Sequence, residues 1–200
     1  VGAGYGGVKA AQVLNKLGKK DNLDITIIDR HDYHTLLTEL HEVAGNRVSE
    51  DAVKIPLKEI FRYTGVKIVQ DEIKTFDLKN NRVFSDSHEY KYDYLIVGTG
   101  SKPNFYGIPC QSAFTLWSFE DAIRIREHIK ECFKKAACEK NEEELSKLLT
   151  FVVAGAGFTG VEMIGELAHW TKDLAREHEI DPKKVRLILV DLLPRVLNTL

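Results

Sequence analysis

The chain has 200 residues, 44% of them hydrophobic, which is enough for one large hydrophobic core or two smaller ones. A formal net charge of -2 and scattered lysines argue against a nucleic-acid partner. No apolar stretch approaches the roughly 20 residues that a membrane-spanning helix needs, and three cysteines without a CxxC pair argue against a disulfide-stabilised secreted domain.

The first predicted element is a glycine-rich turn that leads into a helix. Gly2, Gly4 and Gly7 have the spacing G-x-G-x-x-G, in which the missing side chains allow a tight turn, a close approach of the backbone to a pyrophosphate, and close packing of helix against strand. The helix start would offer free N–H groups and a positive dipole end to the phosphates. Apolar residues at helical spacing predict that a helix follows the turn: Ala10, Val13, Leu14 and Leu17.

The next predicted element is a buried parallel strand at 24–29, DITIID, which ends in Asp29. Asp29 follows Gly7 by 22 residues, close to the about 20 at which a carboxylate accepts hydrogen bonds from ribose hydroxyls. The strand that should precede the glycines is represented only by Val1, and the chain ends at Leu200 without a polar tail. We therefore expect both ends to be cut from a longer chain.

The middle of the chain predicts a small sheet followed by a helix. Four short runs between 66 and 100, VKIV, EIKTFDL, RVFS and YLIVGTG, with a turn at KNN, predict an antiparallel β-meander. Ser118 and Asp121 have the spacing of a helix start, and the apolar residues that follow predict a helix to about residue 137. The charged stretch CEKNEEELSK is typical of a solvated helix end or loop.

A second glycine turn follows the strand LTFVVAG. Gly155, Gly157 and Gly160 repeat the spacing, a longer helix follows, and the strand RLILVD ends in Asp191, 31 residues past Gly160. An aspartate at this point favours a free 2′-hydroxyl and repels a 2′-phosphate, which predicts NADH rather than NADPH. Arg195 lies near enough in sequence to keep NADPH open.

Two such turns predict that two different dinucleotides meet. Hydride leaves a nicotinamide most readily toward a flavin, so we expect FAD at one turn and NADH at the other. The predicted fold class is α/β: a Rossmann-like FAD-binding domain with an antiparallel meander at 1–112, then the start of a Rossmann-like NAD-binding domain at 113–200. A single Rossmann domain that binds one nucleotide is the alternative, and Asp191 argues against it.

Five segments carry a resemblance to a known family: GAGYGG, IIDRHDYHTLLTELHEVAG, YDYLIVGTGSKPNFYGI, AGAGFTGVEMIGEL and VDLLPRVL. In this order they resemble the two-dinucleotide-binding flavoprotein superfamily and, within it, type II NADH dehydrogenase, the single-subunit NADH:quinone oxidoreductase. The first glycine motif is general to the superfamily, whereas HDYH and LHEVAG combined with GAGFTGVE are more particular. The resemblance covers essentially the whole chain.

The resemblance implies a set of cofactor contacts. The residues expected to hold FAD are Gly2, Gly4, Tyr5, Gly6, Gly7, Asp29 and Arg30, with Ile73 as a backbone contact to adenine, Thr38 near the flavin end, and Thr99 and Gly100 at the edge of the sheet. The residues expected to hold NADH are Gly155, Gly157, Phe158, Thr159, Gly160, Glu162 and Asp191.

Glu162 is the catalytic candidate. The resemblance places it where the nicotinamide reaches the flavin, where it would orient the ring or handle protons; the alternative is an acid favoured by the dipole of its helix, in its first turn. Glu166 is expected to be a packing or ion-pair residue. No metal site is predicted, because the spacing of His31, His34 and His41 lies on no single helical face with a carboxylate.

The implied activity is hydride transfer from NADH to FAD, followed by transfer of electrons to a quinone. Disulfide reductases of the superfamily carry a CxxxxC pair after the second strand, and the corresponding segment here, HTLLTELHEVAGNRVSED, has no cysteine. The alternatives are a soluble reductase of a ferredoxin, a rubredoxin or oxygen, and a flavoprotein that senses NADH. The resemblance also implies peripheral binding to the cytoplasmic face of the membrane through a C-terminal region absent here, with the fragment itself soluble, and it leaves a homodimer open.

Overall fold

A computed structural model of the chain describes residues 1–18, 23–105, 107 and 112–197. By their contacts the residues form two compact units: a first unit of Val1–Leu36 with Lys54–Lys102, and a second unit of Leu37–Val53 with Pro103–Leu200. These units group residues 37–53 with the C-terminal half of the chain. The domain boundary after residue 112 stays a prediction.

The helices are α1 (Tyr5–Leu17), α2 (Leu40–Ala44), α3 (Leu57–Ile60), α4 (Phe119–Ala136), α5 (Glu142–Leu148) and α6 (Phe158–Glu177). Short 3-10 helices lie at Leu37–Glu39, Glu50–Val53 and Pro182–Lys184. The strands are β1 (Thr26–Asp29), β2 (Tyr33–Thr35), β3 (Lys54–Pro56), β4 (Lys67–Gln70), β5 (Thr75–Asp77), β6 (Arg82–Phe84), β7 (Glu89–Lys91), β8 (Thr150–Ala154) and β9 (Arg186–Val190). Within the described residues, no helix combines the length and the apolar character that a membrane crossing requires.

The first unit is built on the parallel pair β1 and β4, in which Thr26 lies opposite Lys67. α1 packs against β1, α3 packs against β2 and β3, and the core consists of Ala3, Val8, Ala11, Ile27, Leu57, Phe61 and Val66. The helix predicted after the first glycine turn is confirmed, and Ala10 and Leu14 on it are half-buried. Val13 and Leu17 are 40% and 69% exposed, because α1 turns Val8 and Ala11 toward the sheet instead.

The predicted meander is confirmed in part. β5, β6 and β7 form an antiparallel sheet, and β5 is joined to β6 at the KNN turn, where Asn81 has a φ of 54°. The run at 66–69 belongs elsewhere, since β4 pairs with β1 in parallel. The run at 94–100 contains no regular strand, although the N–H of Gly98 donates to the carbonyl of Val1 at 2.8 Å. A short alternating run predicts a strand but does not identify its partner.

A carboxylate–phenol pair links the end of β4 to β7. The hydroxyl of Tyr90 donates to Oδ2 of Asp71 at 2.6 Å, and Nδ1 of His88 lies 3.1 Å from the same oxygen. The Tyr90 hydroxyl, with a smaller contribution from Ser85, lowers the pKa of Asp71 to about 2. The same hydrogen bond raises the pKa of Tyr90 to about 12.

Replacing Tyr90 by phenylalanine is expected to raise the pKa of Asp71 toward its ordinary value of 3.8. A carboxyl group whose pKa is lowered by folding stabilises the fold above its ordinary pKa, and this stabilisation is lost as the pH falls through the pKa in the folded state. A phenol whose pKa is raised by folding stabilises the fold below its ordinary pKa, and this stabilisation is lost as the pH rises through the pKa in the folded state. The pair therefore stabilises the fold fully between pH 3.8 and 10.0. Titration of the Asp71 carboxyl carbon by NMR measures the effect. Tyr94→Phe, at a residue that is 93% exposed, is the matched control, and an equal Asp71 pKa in both variants would contradict the assignment.

The second unit is built on the parallel pair β8 and β9, in which Thr150 lies opposite Arg186. α6 packs against both strands, and α2 packs against α4 and α6. The predicted start of α4 is confirmed as a capping box: Ser118 accepts from the N–H of Asp121 at 3.1 Å, and Asp121 accepts from the N–H of Ser118 at 3.0 Å. The charged stretch before β8 contains a short helix, α5, which Asn141 caps.

Candidate functional site

The two glycine turns have the same backbone conformation. Gly2 and Gly155 have φ angles of 97° and 101°, in a region of backbone conformation that residues other than glycine rarely adopt. A Cβ on Gly7 would overlap the carbonyl oxygen of Gly2, and a Cβ on Gly160 would overlap that of Gly155. The first and third glycines of each turn are therefore required by the backbone itself, as the spacing indicated.

Both turns leave space where a diphosphate would lie. A Cβ on Gly4, Gly6 or Gly157 would meet no described atom within 4 Å. α1 and α6 begin without a side-chain cap and without an acidic residue in the first turn, whereas α4 and α5 are capped by side chains. Open space above an uncapped helix start suits a phosphate group, which accepts hydrogen bonds from the N–H groups of the first turn and is stabilised by the helix dipole. The residues at both turns fit a dinucleotide.

The predicted ribose acids also hold the glycine turns in place. Oδ2 of Asp29 accepts from the N–H of Ala3 at 2.6 Å, and Oδ1 accepts from the N–H of His31 at 2.9 Å. Oδ2 of Asp191 accepts from the N–H of Ala156 at 2.6 Å, and Oδ1 accepts from the N–H of Leu193 at 2.7 Å. The N–H of Ala156, with that of Leu193, lowers the pKa of Asp191. Each oxygen retains a lone pair for a ribose hydroxyl.

The other residues of the first predicted site differ in position. Arg30 directly follows Asp29; Ile73 lies two residues past Asp71, whose N–H donates to the carbonyl of Asp29 at 2.8 Å. The N–H of Thr99 lies beside Gly2, and Gly100 has a φ of 76°. Tyr5 is 47% exposed at the start of α1. Tyr5 and Thr99 thus lie at the first turn, whereas contacts of Arg30, Ile73 and Gly100 with a cofactor stay predictions. Thr38 is an exposed residue of the second unit, in the 3-10 helix before α2, and its proximity to a flavin stays a prediction.

The second turn opens onto a cavity of about 420 Å³. Its lining includes Ala156, Asp191 and Arg195. Phe158 and Thr159 are exposed at the start of α6, on the same turn. A carboxylate and a guanidinium at one cavity can distinguish a ribose hydroxyl from a ribose phosphate, since the two groups interact oppositely with a phosphate charge.

Glu162 lies in the second turn of α6. The sequence placed it in the first turn, and this is wrong because α6 begins at Phe158 and the third glycine of the motif is already helical. The helix dipole acts mainly within the first turn, so it gives little reason for an acid at this position. The side chain of Glu162 is 45% exposed, and Nδ1 of His41 lies 3.5 Å from its Oε2.

Glu166, one turn further along α6, is an ion-pair residue as predicted. Its Oε1 lies 2.9 Å from Nε of Arg47. Arg47 also pairs with Glu42, so the segment that begins with α2 is attached to α6 by charged contacts. No local pattern indicates the partners of Glu162 and Glu166, because these contacts join residues more than 100 positions apart.

The three histidines considered for a metal site have separate surroundings. His31 stacks on Tyr33 with ring centroids 4.9 Å apart, His34 is buried against the carbonyl of Ala3, and His41 faces Glu162. Glu39, His41 and Glu42 bring one ligand-type atom each within 4.8 Å of one another. Since His41 and Glu42 already face Glu162 and Arg47, we interpret this group as part of a charge network. That the protein uses no metal stays a prediction.

Comparison with known proteins identifies relatives over the whole chain. A family model described as "Pyridine nucleotide-disulphide oxidoreductase" matches residues 1–200. A protein named type II NADH:quinone oxidoreductase from Staphylococcus haemolyticus (strain JCSC1435) is 31% identical over 199 residues, which are 98% of this chain and 49% of that protein. The chain thus spans about half the length of the curated relatives it matches.

Solved structures share the fold. The structure of NDH2 from Plasmodium falciparum in complex with NADH superposes with a TM-score of 0.86 at 22% identity, covering 99% of this chain and 42% of that one. NADH:rubredoxin oxidoreductase from Clostridium acetobutylicum superposes with a TM-score of 0.61 at 19% identity, covering 95% of this chain and 56% of that one. These likenesses agree with the Rossmann-like α/β fold predicted from the glycine turns.

Proposed function

The chain belongs to the pyridine nucleotide-disulphide oxidoreductase family, and from this premise we propose that it is the FAD-binding and NADH-binding part of a type II NADH:quinone oxidoreductase. The proposed reaction is transfer of a hydride from NADH to FAD and of electrons onward to a quinone. The family name refers to a disulfide, but residues 34–51 contain no cysteine, so no redox-active pair stands at the position that disulfide reductases use. An external acceptor is therefore the simplest partner for the flavin.

One observation carries the proposal. Two uncapped helices, α1 and α6, each start at a glycine turn whose second residue donates its N–H to an aspartate at the end of the next parallel strand. The repetition extends to distances, since both N–H to carboxylate hydrogen bonds measure 2.6 Å. A protein with one nucleotide would need one such arrangement. Two arrangements support two dinucleotides.

In the proposed reaction the chain supplies placement and charge. The chemistry that FAD supplies when bound is acceptance of a hydride and release of its two electrons to an acceptor. The first turn would hold its diphosphate, with Asp29 on the ribose and Arg30, Ile73, Thr99 and Gly100 around it. The second turn would hold the diphosphate of NADH through the first N–H groups of α6. Glu162 would orient the nicotinamide or exchange protons at its carboxylate, with His41 beside it.

Asp191 supports NADH as the donor. Its lowered pKa keeps the carboxylate charged at neutral pH, and a charged carboxylate accepts hydrogen bonds from two ribose hydroxyls but repels a 2′-phosphate. Arg195 lines the same cavity and is the residue that a 2′-phosphate would use. We propose that Asp191, which is held by two backbone N–H groups, determines the preference.

The remaining partners are proposals from the relatives. The name of the Staphylococcus haemolyticus protein includes a quinone, and we propose a quinone as the acceptor here. We also propose attachment to the cytoplasmic face of the membrane through a C-terminal region outside this chain, with a homodimer left open. The domain division at residues 112 and 113 is proposed from the sequence pattern alone.

The experiment is anaerobic stopped-flow mixing of the purified intact holoprotein with NADH. Rapid loss of the visible absorbance of the flavin, reversed by a quinone, is the expected result. Reversal only by a ferredoxin or rubredoxin would instead support a soluble reductase. A long-lived reduced complex that no acceptor reoxidises would support a sensor, and a preparation without flavin absorbance that also fails to bind added FAD would overturn the proposal.

A further inference from the structure

We propose that His34 is a positioning residue that holds the first glycine turn in the shape that receives the diphosphate of FAD, an inference that rests on the function proposed above. His34 is the middle residue of β2 and is 5% exposed. Its Nδ1 lies 2.8 Å from the carbonyl oxygen of Ala3, the residue between the first two glycines. The sequence pattern predicts no role for His34, and its spacing from His31 and His41 argues only against a metal site.

The hydrogen bond determines which imidazole nitrogen carries the proton. A carbonyl oxygen only accepts, so Nδ1 of His34 must donate. The N–H of the same Ala3 donates to Asp29 at 2.6 Å. The N–H of Ala3 is therefore bound by Asp29 and its carbonyl by His34. The peptide planes on either side of Ala3 cannot rotate without breaking one of these hydrogen bonds.

The second turn holds the equivalent atoms in the same way. Ala156 occupies the position of Ala3; its N–H donates to Asp191 at 2.6 Å, and its carbonyl accepts from the N–H of Leu197 at 2.8 Å. Because two unrelated donors, an imidazole and a backbone N–H, satisfy the same carbonyl, this bond is part of how such a turn is maintained. Only at the first turn does the donor belong to a side chain, which makes the requirement testable by substitution.

His34 also contacts the start of α1. The rings of Tyr5 and His34 meet edge to face, with centroids 4.7 Å apart and an interplanar angle of 88°. Tyr5 is the first residue of α1, whose first N–H groups would bind the diphosphate. One imidazole therefore supports both the carbonyl inside the turn and the first side chain of the helix. Its removal would loosen the two groups that shape the phosphate site.

The test is titration of the intact apoprotein with FAD, monitored by fluorescence quenching, in the wild type, three His34 variants and one control variant. His34→Asn keeps an amide N–H near the position of Nδ1 and is expected to bind FAD within about threefold of the wild type. His34→Gln places its amide further out, and His34→Leu has no donor; both leave the buried carbonyl of Ala3 unsatisfied and are expected to weaken FAD binding roughly 10- to 100-fold. His169→Leu, at an exposed histidine of α6, is the control and should change nothing.

NADH affinity, measured in the same preparations, reports on the second turn and should be equal in all variants. Equal FAD affinities for the asparagine, glutamine and leucine variants would overturn the proposal, as would parallel losses of FAD and NADH affinity, which would mark a general loss of structure. The asparagine and glutamine variants keep the comparison decisive if the leucine variant does not fold. A wild-type protein that binds no FAD would refute the proposed FAD site itself, a failure that the wild-type titration alone reveals.

Discussion

Gly160→Ala is expected to weaken NADH binding roughly 100-fold while FAD affinity stays unchanged, and Gly7→Ala is expected to weaken FAD binding by a similar factor while NADH affinity stays unchanged. In each case the added Cβ overlaps the carbonyl oxygen of the first glycine of the same turn. The obstacle is backbone, which cannot swing aside as a flexible side chain can. Overpacking of this kind costs about 1–3 kcal/mol, and because the displaced atoms belong to the phosphate-binding turn, we expect a loss of roughly 100-fold in affinity for that dinucleotide.

The chain provides a matched control for this pair. Gly165 lies five residues further along α6, and a Cβ there would meet no described atom within 4 Å. Gly165→Ala should leave both affinities unchanged and raise the stability of the helix by up to about 1 kcal/mol. Isothermal titration of each variant with NADH and with FAD provides the measurement. If Gly160→Ala and Gly165→Ala bound NADH equally well, the second turn would not be the NADH site.

Asp191→Asn is expected to shift the preference between NADH and NADPH by roughly 100-fold toward NADPH. An asparagine retains one oxygen, so it can no longer accept from both Ala156 and Leu193 and also from the ribose. The loss of the negative charge removes the repulsion of a 2′-phosphate and leaves Arg195 facing it across the cavity. The expected result combines weaker NADH binding, by about tenfold, with a gain in NADPH binding.

The pH dependence of NADH binding provides a second test of the role of Asp191. Backbone N–H groups hold the pKa of Asp191 below its ordinary value of 3.8. A carboxylate with a depressed pKa loses its charge, and with it its contribution to binding, only when the pH falls through the lowered pKa. The affinity for NADH itself should therefore be flat from neutral pH down to about pH 4. Asp181→Asn, at an acid that caps the 3-10 helix before β9, is the control; an affinity for NADH that declined already between about pH 6 and pH 5 would contradict the assignment to Asp191.

The two glycine turns and their acids could be predicted because their spacing follows from geometry. A turn, a helix that returns along the sheet, and the next strand place the end of that strand beside the turn whatever the helix length. α1 has 13 residues and α6 has 20, and Asp29 and Asp191 nonetheless form the same bond. The family and the fold class followed from the same motifs, and the match of the family model to residues 1–200 confirms the family.

Other features depend on contacts that a local pattern does not contain. The helical spacing of Val13 and Leu17 predicts a helix but not which of its faces is buried, and the neighbours of α1 lie on the side of Val8 and Ala11. The run at β4 alternated like a meander strand, and its parallel partner lies 41 residues away in register. Glu162 was placed one turn too early because the spacing of the glycines does not show where helical hydrogen bonding begins.

The histidines illustrate the same limit at the site. His34 and His41 were visible as titratable residues, but their partners, the carbonyl of Ala3 and the carboxylate of Glu162, lie far away in sequence. A clue for His34 existed: in the burial pattern of β2 it is the inward position, where an apolar residue would be usual. A polar residue at such a position must find a buried partner.

The separation in sequence between each glycine turn and the acid that secures it has a consequence for biosynthesis. The bond from Ala3 to Asp29 spans 26 positions, and that from Ala156 to Asp191 spans 35. Closing a loop of this length costs chain entropy before the bond forms. In a nascent polypeptide neither turn can be secured by its aspartate until the strand that bears that aspartate has left the ribosome.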